Sequence, residues 1–195
     1  MAFQQERDML TIFRIVDTET PLRTKPAAMR ASQFSKLYNH LLDNGIATDL
    51  APNEIEGIAL RYEFNANAVS LADFDRLFMS DDQLLAVAEE AQFHGRSLRL
   101  SKTSDAIFAR LSVSEHIAIT PEIMMSVERA HAVLNCLGIN PTETCSINIS
   151  DLRHELIKPS VREAFVAGGL DTAFDYLAGI CAVEHGNTEP KLAWV

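Results

Sequence analysis

Residues 95–119 read GRSLRLSKTSDAIFARLSVSEHIAI, and the fold turns on how they are taken. Apolar and polar residues alternate in RSLRLS (96–101) and again in IFARLSV (107–113), the period of a half-buried strand. KTSD (102–105) supplies turn residues between them, so two short strands would form a hairpin packed on helices. A helix across 104–111 followed by a connector is the competing reading, because a short apolar run fits both periods.

On either side of this stretch the chain reads as helices. Upstream, SLADFDRLFMSDDQLLAVAEEA (70–91) resolves into two short ones. Ser70 with Asp73 has the reciprocal capping pattern before Leu71, Phe74, Leu77 and Phe78, and Ser80 with Gln83 repeats it before Leu84, Val87, Ala88 and Ala91. Earlier still, Ser32 precedes Phe34, Leu37, Tyr38, Leu41 and Leu42, an apolar stripe that Gly45 closes. Pro52 suits the first turn of a second helix carrying Ile55, Ile58, Ala59 and Tyr62, which predicts a helical hairpin over 32–63. Residues 2–16 fit a helix through Phe3, Leu10, Phe13 and Val16, although TIFRIV is β-branched enough for a strand. DTETPLRTKPAAMR (17–30) reads as a loop.

Downstream, Thr120, Pro121 and Glu122 start a helix with Ile123, Val127, Ala130, Leu134 and Leu137 on its buried face, ended by Gly138. Ser150 caps another that stops near Pro159, Ser160 with Glu163 caps VREAFVA, and a last helix uses Phe174, Leu177, Ala178 and Cys181. The expected fold is therefore mainly α: a compact helical bundle-like domain with at most a small β-hairpin around residues 96–113. Residues 1–185 would form one globular domain, or two packed helical lobes (1–94 and 95–185), followed by a C-terminal tail (186–195) on which Trp194 anchors to the body.

At 195 residues and 47% apolar content the chain can bury a substantial core. Its net charge of −10 disfavours nucleic acid and anionic membranes as ligands. MAFQQERDML has no basic end followed by an apolar run, and no 18-residue apolar stretch occurs, so a soluble cytoplasmic protein is expected, with leaderless export still compatible. Cys136, Cys145 and Cys181 are odd in number and irregularly spaced, which reads as reduced, packing cysteines.

FNANAVSLADFDRLF resembles a fragment of a calcium-binding EF-hand, and LGINPTE (137–143) is similar to the linker between paired EF-hands of the calmodulin family. The interval from Asn65 to Asp73 is nine residues against the twelve of such a loop, and the central glycine is missing. No calcium role is carried over. Glu128 and His131 form a Glu-x-x-His pair on one helix face, a spacing that can serve one metal or an acid/base step. No second such pair occurs. Ser114, His116 and a distant acid could be drawn together as a hydrolytic site, yet the chain has no G-x-S-x-G elbow, phosphate loop or dinucleotide turn. Neither a cofactor nor a resident metal is expected.

The charge is segregated. From Asp43 to Glu90 the chain has eleven acidic and two basic residues, a net of −9 against −10 for the whole. Asp73, Asp81 and Asp82 suit first turns of helices, where exposed N–H groups favour negative charge. The preferred function is accordingly a noncatalytic protein-binding or regulatory protein, with Asp73, Asp75, Asp81, Asp82, Glu89 and Glu90 meeting a protein partner, basic in character. A small enzyme using Glu128 and His131, and a structural or self-associating assembly subunit, are the alternatives.

Overall fold

The structure, a computed structural model, describes residues 10–46, 58–103, 107–118, 120, 122–183 and 189–194. The elements in the first half are β1 (Leu10–Val16), β2 (Ala27–Met29), α1 (Ala31–Asp43), β3 (Ile58–Asn65), α2 (Leu71–Phe78), α3 (Asp82–Phe93), β4 (Arg96–Thr103) and β5 (Ala109–Ile117). Then come β6 (Ile123–Ser126), α4 (Val127–Cys136), β7 (Ser146–Asn148), α5 (Ile149–Leu156), α6 (Pro159–Ala167), α7 (Asp171–Ala182) and β8 (Lys191–Trp194). The strand pairings are antiparallel. The mainly α, bundle-like expectation is thus overturned: the fold is mixed α/β. The chain divides into two compact units, Thr20–Ile119 and Met1–Glu19 with Thr120–Val195.

In the unit of residues 20–119 a four-stranded sheet runs in the order β3-β4-β5-β2. The alternation in 96–101 and 107–113 does make strands, which pair with Leu98 opposite Val113 and Leu100 opposite Leu111. They are central strands of the sheet, and β5 runs on to Ile117, past the expected end of the hairpin at 113. Leu98, Leu100, Leu111 and Val113 point into a core with Phe74 and Phe78 of α2 and Leu84 and Val87 of α3. Each such fully buried side chain contributes about 1.5–3 kcal/mol.

The second helix of the expected 32–63 hairpin is corrected to strand β3 over its described part. Ile58, Leu60, Tyr62 and Phe64 also recur at every second residue, and pairing with β4 selects that period over the helical one. Residues 52–57 of that reading lie outside the described residues. The first helix stands as α1, burying Leu37 and Leu41, and Gly45 follows it at φ +64°. Its start is Arg30, whose backbone N–H donates to the Gln33 side chain at 2.9 Å.

Helix α2 is capped as its sequence predicts, the Ser70 hydroxyl accepting the Asp73 N–H at 3.1 Å. Helix α3 differs: Ser80 lies at φ +56°, and Asp81 caps by accepting the Gln83 and Leu84 N–H groups at 3.2 and 3.3 Å. A carboxylate one residue later takes the role because Met79 and Ser80 both turn left-handed.

In the other unit the order is β6-β1-β8-β7. Residues 10–16 form strand β1, so the helical reading fails there, and its remainder, 2–9, lies outside the described residues. Ile123 is drawn from the expected helix face into β6, and the helix begins four residues later with the Ser126 hydroxyl as its cap. The tail segment contributes β8, where Leu192 and Trp194 are buried and Trp194 lies 6.2 Å from the Phe13 ring. Helices α4–α7 complete the unit, packing Leu134, Leu152, Phe165 and Leu177 away from solvent.

Candidate functional site

The acidic residues of 70–91 divide into three uses. Asp73 and Asp81 serve their own helices. The Ser70 hydroxyl, against the opposing effect of burial, and then Arg76 and His40 hold the Asp73 carboxyl below the usual carboxylate range, and Arg76 pairs with it directly. Glu90 faces inward at 9% exposure. Its oxygens accept the backbone N–H of Arg23 at 2.5 Å, that of Thr24 at 2.8 Å, and the Thr24 hydroxyl. Burial raises its pKa, but these donors outweigh it and His94 adds to them, so the group sits below the ordinary glutamate value.

Asp75, Asp82 and Glu89 face solvent. On α3, Asp82, Ala86, Glu89 and Phe93 recur at i, i+4, i+7 and i+11, one outward stripe. Phe93 ends it at 85% exposure, its ring 5.0 Å from His94 in an edge-on arrangement. A bare aromatic one turn from the Glu89 carboxylate is the least expected surface on this unit, since large apolar side chains gain by burial.

Glu128 and His131 sit near the start of α4, both exposed. The Glu128 backbone N–H and the Ser126 hydroxyl lower its pKa, with burial opposing slightly and His131 adding a weak attraction. Such a shift describes a solvated helix-start carboxylate. The nearby open groove of about 360 Å³ is lined by Met124, Ser126, Arg129 and Thr172 among others, and neither Glu128 nor His131 lines it. Among the described residues no group of three or more His, Cys, Asp or Glu is placed to hold a metal.

A polar cluster lies on the sheet face opposite the helices of the 20–119 unit. Its origin is a bulge: Arg96 pairs with Ile117 but Leu98 with Val113, so β5 carries extra residues around Ser114–His116. Arg99 donates to Glu63 at 2.6 Å and to the Ser114 hydroxyl at 3.2 Å, and that hydroxyl donates to Glu63 at 3.0 Å. The His116 ring Nδ1 lies 3.0 Å from the Ser97 hydroxyl. Ser114 and His116, drawn together from sequence, do share a site with an acid. In a hydrolytic relay the carboxylate meets the imidazole and the imidazole meets the nucleophile. Here Glu63 bonds the serine, His116 bonds a different serine, and Ser114 has 0% exposure.

Sequence reasoning missed Glu63, Ser97 and Arg99. The signal was present in the alternation of 96–101, which puts Ser97 and Arg99 on one face, but Glu63 was hidden by the helical reading of its segment.

The cysteines are free. Burial raises the thiol pKa of Cys136 and, with Arg153 partly offsetting it, of Cys181, which disfavours thiolate chemistry. Among the described residues no helix is long and apolar enough to cross a membrane. No protein-family model, curated protein or solved structure matches the chain.

Proposed function

We propose that the chain is a noncatalytic binding or regulatory protein whose acidic helical surface receives a basic protein partner. The observation that carries this reading is the outward stripe of α3, where Asp82 and Glu89 lead to the exposed ring of Phe93. Carboxylates of this kind steer encounter and discriminate against acidic partners, while an exposed aromatic supplies the desolvated anchor that makes contact persist. Asp75 of α2 adds outward charge; Asp73, Asp81 and Glu90 contribute through the helices and loop they hold in place. A cytoplasmic setting belongs to the same proposal, and the free thiols of Cys136, Cys145 and Cys181 support it.

The test is capture of a stoichiometric partner from native extract on immobilised protein, wild type against Asp82→Lys with Glu89→Lys and against Phe93→Ala. Charge reversal should reduce recovery by about tenfold or more at low salt and flatten its salt dependence. Phe93→Ala should lower recovery about equally at all salt concentrations. Undiminished capture by both variants would remove the acidic face from the function and return weight to the enzymatic or assembly alternatives.

A further inference from the structure

Glu90 carries an inference separate from partner binding. Its carboxylate gathers three hydrogen bonds from Arg23 and Thr24, 67 and 66 residues earlier in the chain. These donors lie between Pro21 and Pro26 in a segment without regular structure, where Leu22, Arg23 and Lys25 are exposed. Little apolar burial therefore holds the segment down, and among the described residues Glu90 gives it three hydrogen bonds. The chain just beyond is anchored by other means. Ala27 and Met29 are buried, β2 pairs with β5 over Ala27–Met29, and Arg30 bonds Gln33.

We propose that residues 21–26 form a releasable strap, latched onto α3 by the Glu90 carboxylate, and that neutralising this one group frees the strap while the sheet keeps its pairing.

Neutral glutamine is a severe probe of the latch. One amide oxygen can still accept the Arg23 N–H, but the amide nitrogen then confronts the donors of Thr24. Acid acts in the same direction. A carboxyl whose folded pKa lies below its unfolded one stabilises the closed strap above the ordinary glutamate value and loses that stabilisation as pH falls through the folded value. His94 is the titratable neighbour on α3, and its charge adds to the hold on the carboxylate.

Hydrogen exchange on the full chain at neutral pH tests the proposal. In Glu90→Gln the amides of Arg23 and Thr24 should exchange about tenfold or more faster, with residues 96–103 and 109–117 unchanged. Thr24→Val, which removes the hydroxyl but leaves the carboxylate and both amides, should accelerate the same amides less. Unchanged exchange of Arg23 and Thr24 in Glu90→Gln would overturn the latch, as would acceleration spread evenly into β4 and β5, which would make Glu90 part of the cooperative core.

Discussion

Each of the two units pairs four strands, and they do so by opposite routes. In the 20–119 unit β4 and β5 are sequence neighbours of eight and nine residues, and β3, also of eight, pairs with β4. In the other unit β1 near the start of the chain pairs with β8 at its end, and β6, β7 and β8 are four, three and four residues long. A local hairpin pays little loop-closure entropy before its cross-strand contacts form; a pairing between chain ends pays much more. The first sheet should therefore tolerate damage to the second, whereas the second depends on a short strand held by a few side chains.

Removing residues 191–195 gives the largest expected effect. Strand β8 lies between β1 and β7, so its loss leaves both without a partner on that side and uncovers the surface that Leu192 and Trp194 bury. Amide protection in β1 and β7 should fall to that of an open chain, while Leu98–Leu100 and Leu111–Val113 remain protected. Retained protection in β1 would break the contrast, showing that its remaining pairing suffices to hold it.

These routes also explain which parts of the fold are legible in sequence. The alternation of 96–101 and 107–113 survives because eight- and nine-residue strands repeat period two often enough to be seen. Strands of three or four residues sample neither period, so Ile123 can complete a helical stripe on paper while pairing with Phe13 in space. Helix α2 was fully readable, since its cap lies beside it, and α3 was readable except for its first residue. The polar cluster was half readable: β4 shows Ser97 and Arg99 on one face, but the acid they meet lies 36 residues from Arg99 on a strand with an ambiguous period. Nor does any local pattern disclose that Glu90 faces a loop 66 residues away.

The cluster offers the next largest effect and sharpens the difference between the sheets. Arg99→Ala leaves the Glu63 carboxylate, with its side chain at 10% exposure, without the guanidinium that neutralises it. Removing one partner of a fully buried pair costs about 3–5 kcal/mol; partial exposure of Arg99 reduces the expected loss here to about 2 kcal/mol. Urea denaturation measures it, and Ser114→Ala should cost about 1 kcal/mol on the same scale. A loss under about 0.5 kcal/mol for Arg99→Ala would mean that the apolar face alone sets the stability of the three long strands.

The smallest effect separates carboxylates that neighbour one another in sequence. Asp81 and Asp82 both lie at the start of α3, yet Asp81 accepts two backbone N–H groups and lies 3.4 Å from the Gln33 amide, whereas Asp82 is exposed. Asp81→Ala should cost about 1 kcal/mol, the usual value of an N-cap, and Asp82→Ala should stay within about 0.5 kcal/mol. Partner recovery should respond in the opposite sense, falling for Asp82→Ala and holding for Asp81→Ala wherever the protein remains folded. Equal losses of stability would erase the distinction between acids that build the helix and acids that face outward, and the binding stripe would have to be redrawn from the capping geometry.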